Sequence, residues 1–170
     1  MTPADLLVEA FDRILQTGLA AVDGLEDEAL AARPAPEANP VGWLVWHLAR
    51  VQDDHIAGVA GAPGLEQVWT SQGWADRFGL PLDVGDIGYG HTTEQVASVR
   101  VGAGLLADYL RAVHAQTVAY VAGLSGADLD EVVDERWDPP VTRGVRLVSV
   151  VGDDLQHAGQ AAYVRGLHGR

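Results

Sequence analysis

The chain has 170 residues and a formal net charge of −13, from 24 acidic and 11 basic residues. It contains no cysteine, and every basic residue is arginine rather than lysine. A surface this acidic repels a phosphate backbone, so we expect no nucleic-acid partner. Without Cys or Lys the chain has no disulfides, thiolate metal ligands, cysteine nucleophiles or Schiff bases.

We expect a single domain over residues 1–170, because a chain of this length can bury a core without disulfides or a metal. Any metal would therefore serve function more than folding. No apolar run approaches the roughly 20 residues needed to cross a bilayer, and the acidic N-terminus is unlike a signal peptide. These features predict a soluble cytoplasmic protein with no membrane partner.

Apolar residues recur at helical spacing in four stretches, of which two lie in the first 60 residues. The first helix is predicted over residues 3–22, with Pro3 in its first turn after Thr2 as cap. The segment ARPAPEANP then excludes a helix interior because of its prolines. The second helix is predicted over residues 40–59, with Asn39 as its cap.

The other two helical stretches lie in the second half of the chain. A third helix is predicted over residues 92–121, because Thr92 and Gln95 have capping-box spacing. Gly102 and Gly104 weaken its middle, unless a neighbouring helix needs their small size. The fourth helix is predicted over residues 146–167. Four long helices in one small chain predict an all-α fold, namely a four-helix bundle.

Residues 61–91 form a long connection between the second and third helices. It contains Trp69, Trp74, Phe78 and the glycine-rich stretch DVGDIGYGH. A connection of this length usually marks a lid, a binding loop or an oligomer contact. Ordered crossovers also need aromatic anchors, so we favour a crossover strapped to the bundle.

A weak internal repeat divides the chain into two halves. GLEDEAL from Gly24 and GLSGADL from Gly123 share the pattern Gly-Leu-x4-Leu. Each follows a long helix and precedes a helix that bears a histidine. Two similar helix pairs would place His47 and His157 at corresponding positions.

Those two histidines lie in surroundings that suggest a metal site. His47 lies in the apolar stretch WLVWHLA, and His157 follows Asp153 and Asp154. On a helix, Asp153 and His157 are one turn apart on the same face, with Asp154 as the competing choice. Imidazole and carboxylate bind Zn²⁺, and a catalytic site uses three protein ligands plus an open position. We therefore predict a metal held by His47, Asp153 and His157 in the bundle core.

A structural interpretation competes with this one, since buried histidines are often hydrogen-bonded core residues and paired aspartates often form a solvated face. Asp54 lies seven residues after His47, about 10 Å along the helix, which suits a contact to a metal ligand or to substrate. His114 has no acidic residue three or four positions away. Rim or surface positions are predicted for the other histidines: His55, His91 and His168.

Three stretches together resemble the DinB/YfiT-like superfamily: NPVGWLVWHLARVQDDH from Asn39, the crossover, and VGDDLQHAGQAAYVRG near the end. The similarity is to an actinobacterial branch often grouped as a domain of unknown function, near the mycothiol-dependent maleylpyruvate isomerases. It implies a bundle that binds a divalent metal, usually Zn²⁺ and sometimes Ni²⁺ or Fe²⁺. By position the ligands would be His47, Asp153 and His157. Many relatives have His or Glu where this chain has the shorter Asp153.

The resemblance also implies an activity. Characterised relatives are transferases or isomerases that use a low-molecular-weight thiol such as mycothiol or bacillithiol, and a chain without cysteine needs an external thiol. We expect a thiol and a small electrophile as partners, Asp54 as a catalytic contact and a homodimer. Anion contacts to the cosubstrate are expected from three arginines: Arg50, Arg143 and Arg146. The alternative is a non-catalytic bundle that binds a metal or a small ligand.

Overall fold

A computed structural model describes residues 1–61 and 64–167 of the chain. The helices of the described residues are α1 (Pro3–Val22), α2 (Asp27–Ala31), α3 (Val41–Ala60), α4 (Val68–Ser71), α5 (Trp74–Phe78), α6 (Thr93–Ser98), α7 (Ala103–Val121), α8 (Gly126–Leu129) and α9 (Arg143–Leu167). Two short strands, β1 (Val132–Asp134) and β2 (Val141–Thr142), pair antiparallel before α9.

The four long helices α1, α3, α7 and α9 pack against one another as a bundle. Helix α3 is buried on nearly every side, whereas α1, α7 and α9 each bury one stripe. The predicted all-α fold and four-helix bundle are confirmed. Among the described helices, none combines the length and apolarity that a bilayer crossing requires.

Two of the predicted helices differ from the observed ones. The helix predicted over residues 92–121 is two helices, α6 and α7, with a break at residues 99–102. Thr92 begins α6 with a capping box, as predicted, but Gly102 is extended and caps α7 instead of continuing a helix. Helix α9 begins at Arg143 rather than at residue 146 because strand β2 leads directly into it.

The long connection is strapped to the bundle through its aromatic side chains. Trp69, Trp74 and Phe78 are buried and contact Tyr109 of α7, with ring centroids 5.2, 5.5 and 5.5 Å away. The carboxylate of Asp53 on α3 accepts hydrogen bonds from the backbone amides of Val68 and Trp69 at 2.9 and 2.8 Å. These contacts fix the start of the connection on the core, as the favoured interpretation predicted.

The internal repeat corresponds to a repeated structural unit. In each half a long helix leads into a short one and then into a helix that bears a histidine: α1, α2 and α3, and later α7, α8 and α9. The two Gly-Leu motifs begin just after each unit's first helix and extend into its short helix. His47 and His157 therefore lie on equivalent helices, and these helices pack against each other.

Candidate metal centre

His47, Asp153 and His157 come together between α3 and α9. One ligand atom from each of these three side chains lies within 4.8 Å of the other two. Within residues 1–61 and 64–167, no other group of three or more His, Asp or Glu side chains is close enough to share an ion. The rings of His47 and His157 meet edge to face, with centroids 4.7 Å apart and planes 78° apart.

The hydrogen bond of His47 leaves one ring nitrogen available to a metal. Its Nδ1 lies 2.5 Å from the carbonyl oxygen of Ile87 in the long connection. A carbonyl oxygen only accepts, so Nδ1 donates and the lone pair is on Nε2. The side chain is 6% exposed, and burial lowers the pKa of His47, which favours the neutral ring that a metal requires.

Gly88 allows the connection to approach His47 this closely. Its φ is +93°, which favours glycine. A Cβ at this position would lie 2.6 Å from Nδ1 of His47 and 3.1 and 3.2 Å from the rings of Trp46 and Trp43. The glycine-rich stretch noted in the sequence therefore holds the Ile87 carbonyl against the imidazole.

His157 and Asp153 present their free atoms to the same space. Nδ1 of His157 donates to the side-chain oxygen of Gln160 at 3.1 Å, and Nε2 lies 3.7 Å from Oδ1 of Asp153. Oδ2 of Asp153 is buried and has no hydrogen-bond partner among the described residues. A buried carboxylate oxygen without a donor is costly, and a cation would satisfy it.

Trp43 and His91 pack behind the cluster. Trp43 stacks on His47, with ring centroids 4.5 Å apart and planes 15° apart. Its Nε1 donates to Nδ1 of His91 at 3.0 Å, so Nε2 of His91 carries the proton and donates to Asp86 at 2.9 Å. The surface position predicted for His91 is wrong, since its side chain is 3% exposed. Asp86 lies five residues earlier in the same connection, whereas Trp43 lies 48 positions away, and the sequence alone does not reveal that contact.

Asp154, the alternative ligand left open by the sequence, lies outside the cluster. It is 0% exposed and continues the core stripe of α9. Neither carboxyl oxygen has a hydrogen-bond partner within the described chain. Burial, with the neighbouring Asp153 charge, raises the pKa of Asp154 well above its ordinary value. The structure thus brings Asp153 to the two histidines and leaves Asp154 in the core.

Arg50, an expected cosubstrate contact, lies in the core. It is 0% exposed, and its guanidinium donates to the carbonyl of Asp86, the hydroxyl of Tyr109 and the side-chain oxygen of Gln67 at 3.0–3.2 Å. It also lies over the ring of Trp69. These contacts occupy its guanidinium in holding the connection on α3. The cosubstrate contact expected of Arg50 stays a prediction.

Arg143 and Arg146 lie in different surroundings, since Arg143 joins two helices and Arg146 faces a cleft. Arg143 donates to backbone oxygens of Val59 and Asp128 and pairs with Glu131, so it joins the start of α9 to the end of α3. The cosubstrate contact expected of Arg143 stays a prediction. Arg146 lines an open cleft between the C-terminal half of α3, the hairpin β1–β2 and the start of α9, and none of the three clustered side chains lines that cleft.

Asp54 and His55 line the same cleft. Asp54 accepts a hydrogen bond from Gln67 at 2.8 Å. Within the described part of the chain, Asp54 is not a member of the cluster formed by His47, Asp153 and His157. His55 contacts the carbonyl of Val51 through Nδ1 at 3.0 Å and is 27% exposed.

His114 has a partner that its own helix could not reveal. Its Nε2 lies 2.7 Å from Oδ1 of Asp12 on α1. Such a contact depends on helix packing rather than on spacing along one helix. His168 lies outside the described residues.

Comparison with known proteins identifies the family. A sequence profile of mycothiol S-transferases matches residues 6–169. The chain belongs to this family. Membership confirms the resemblance to the DinB/YfiT-like superfamily. The fold is similar to that of a crystal structure described as the conserved protein of locus from Enterococcus faecalis, with a TM-score of 0.88 and 36% identity over 97% of this chain and 96% of that one. A search of curated proteins found no match for this member of the family.

Proposed function

We propose that the protein is a divalent-metal-dependent transferase or isomerase that uses a low-molecular-weight thiol of the mycothiol type to act on small electrophiles. The observation that carries this proposal is the meeting of His47, Asp153 and His157 within 4.8 Å. Family membership supplies the thiol chemistry, since the matching profile is that of mycothiol S-transferases.

The three side chains fit a metal by their chemistry. Each imidazole donates through Nδ1, to Ile87 and Gln160 respectively, and so keeps Nε2 for a ligand bond. Asp153 supplies a carboxylate with a buried oxygen that lacks a donor. Two neutral nitrogens and one carboxylate suit Zn²⁺ best, with Ni²⁺ or Fe²⁺ as alternatives. When bound, the metal supplies a Lewis acid that ionises a coordinated thiol near neutral pH.

The chain's own residues would hold this centre rigid. Ile87 fixes the tautomer of His47, and Trp43 stacks on the same ring and limits its rotation. Because the chain contains no cysteine, the reacting thiol comes from a cosubstrate.

Metal analysis tests the first step. The wild-type protein, purified without a nickel column, should contain about one metal ion per chain by mass spectrometry. His157→Ala and Asp153→Ala should lose most of it, because each removes a ligand. His114→Ala is the matched control, since His114 pairs with Asp12 away from the cluster. A metal-free wild type, or unchanged content in His157→Ala, would contradict the proposal.

Thiol dependence tests the second step. Turnover of small electrophiles should require added mycothiol or a related thiol and should disappear in His157→Ala. Turnover without any thiol would refute the thiol mechanism. Metal binding without turnover for a panel of thiols and electrophiles would instead support a non-catalytic metal-binding bundle.

We also propose that the protein is a homodimer. Several large apolar side chains of α9 are exposed, including Val148 and Tyr163 at 66% and 68%, and a second copy would cover them. Light scattering coupled to gel filtration should give twice the chain mass of 18.0 kDa. A monomer at micromolar concentration would refute this.

A further inference from the structure

The face of the His47 imidazole is covered by the indole of Trp43, which precedes it by one turn of α3. Trp43 is 5% exposed, and its ring lies 4.5 Å from that of His47 between centroids, with planes 15° apart. The ring of His157 meets the same indole edge to face, with centroids 6.3 Å apart and planes 88° apart. Trp43 thus packs against both imidazoles of the candidate metal centre.

His91, in the long connection, accepts the hydrogen bond that fixes this indole. An indole Nε1 only donates, so the contact of 3.0 Å from Trp43 makes Nδ1 of His91 the acceptor. Nε2 of His91 therefore carries the proton, and it lies 2.9 and 3.0 Å from the two carboxylate oxygens of Asp86. Because both ring nitrogens are occupied and the side chain is 3% exposed, His91 offers a substrate neither a lone pair nor a proton.

Asp86 connects this contact to the other support of His47. Its Oδ1 also accepts a hydrogen bond from the backbone amide of Gly88 at 2.7 Å. Gly88 directly follows Ile87, whose carbonyl accepts the hydrogen bond from Nδ1 of His47. The same loop therefore holds the imidazole twice, at Nδ1 through Ile87 and on its face through the indole of Trp43.

These two supports act on the one torsion that aims the ring of His47. Rotation about χ2 of a histidine is soft unless neighbouring groups fix it, and a metal ligand binds better when its surroundings hold it in the binding orientation. We propose that His91 is a positioning residue, which acts through Trp43 to hold the His47 imidazole with Nε2 facing the other two ligands. This inference rests on the proposed function, since its consequence is a higher metal affinity.

Zn²⁺ affinity tests the proposal with two variants of nearly equal shape. His91→Asn keeps an oxygen close to the place of Nδ1 and can still accept from Trp43, whereas His91→Leu cannot. Competition with a chromophoric chelator should show binding at least about tenfold weaker in His91→Leu and less than about threefold weaker in His91→Asn. Unchanged affinity in His91→Leu, or equal losses in the two variants, would overturn the proposal.

A double-mutant cycle tests whether His91 acts through the indole. Trp43→Phe keeps an aromatic ring against His47 but removes the N–H donor. It should weaken Zn²⁺ binding about as much as His91→Leu does, and the double variant should bind less than about twofold more weakly than either single variant. Losses that multiply would show that His91 acts independently of Trp43, which would overturn the proposal.

His114→Leu is the matched control for these variants. His114 is also paired with an aspartate, since its Nε2 lies 2.7 Å from Oδ1 of Asp12, but it lies away from the cluster. Its Zn²⁺ affinity should equal that of wild type. Thermal unfolding of each metal-free variant checks that the fold is retained.

A measurement on metal-free protein separates this inference from the metal hypothesis. The Hδ1 proton of His47, which is donated to the Ile87 carbonyl, should give a slowly exchanging NMR signal in wild type and in His91→Asn. In His91→Leu the signal should be lost to solvent exchange. This pattern would support the positioning role even if wild type bound no metal. A signal absent from wild type, or retained in His91→Leu, would overturn that role even with a metal in place.

Discussion

Replacing Gly88 with alanine tests how the long connection supports His47. The new Cβ would lie 2.6 Å from Nδ1 of His47, and overpacking of this kind costs roughly 1–3 kcal/mol. The positive φ of +93° adds roughly 1–2 kcal/mol for any residue with a Cβ. We therefore expect Gly88→Ala to lower the free energy of unfolding by roughly 2–5 kcal/mol. Urea denaturation of metal-free protein, followed by tryptophan fluorescence, measures this.

Gly90 offers the matched control in the same loop. Its φ is +71°, but no heavy atom lies within 4 Å of the position of a Cβ. Gly90→Ala should therefore show only the backbone cost, roughly 1–2 kcal/mol. Gly88→Ala should also weaken metal binding about 10–100-fold, because the clash pushes the Ile87 carbonyl from the imidazole. Equal destabilisation by the two variants, with unchanged metal affinity in Gly88→Ala, would refute the reasoning.

Three further predictions concern stability. Arg50→Ala should lower the free energy of unfolding by about 3–5 kcal/mol in urea denaturation, because it leaves the buried Asp53 without its cationic partner. Arg111→Ala removes an exposed ion pair and should change the free energy of unfolding by less than about 1 kcal/mol. Equal losses of stability in the two variants would contradict a role of Arg50 in the core. Hydrogen bonds from Arg136 hold the pKa of Asp134 well below its ordinary value, so the ion pair stabilises the fold above pH of about 4 and loses this effect as the pH falls further. The melting temperatures of wild type and Asp134→Asn should therefore differ most at neutral pH and converge in acid, and a constant difference would exclude this role. Chelation should lower the melting temperature of wild type, because it removes about 2.7 kcal/mol of stabilisation by metal present at a hundredfold excess over Kd. It should not lower the melting temperature of His157→Ala. An equal fall in that variant would point to a chelator effect unrelated to the cluster.

Periodicity was enough to predict the bundle because the four long helices each carry a sustained apolar pattern. It could not predict α4, α5 or α8, which have four or five residues and therefore little more than one turn. Nor did it reveal the break before α7, where Gly102 adopts an extended conformation between two helices of favourable composition. Local propensity does not determine such a break, since tertiary packing overrides it.

The candidate site was partly visible in the sequence for the same reason. The spacing of Asp153 and His157 is a property of one helix, so it could be seen before the fold was known. Contacts between distant segments, such as that of Trp43 with His91, depend on the docked crossover. The burial of Arg50 could not be predicted, because arginine is rarely fully buried and only the structure shows the acceptors that surround it.

The division of the cluster between α3 and α9 determines when the proposed ion could be bound. His47 and His157 are 110 positions apart in the chain, and closing so large a loop is entropically unfavourable. In the denatured ensemble only Asp153 and His157 are near each other, and two ligands hold an ion weakly. Tight binding of the proposed ion would therefore begin only after the two repeated units have docked. Loading of the proposed ion would then be the last step of maturation.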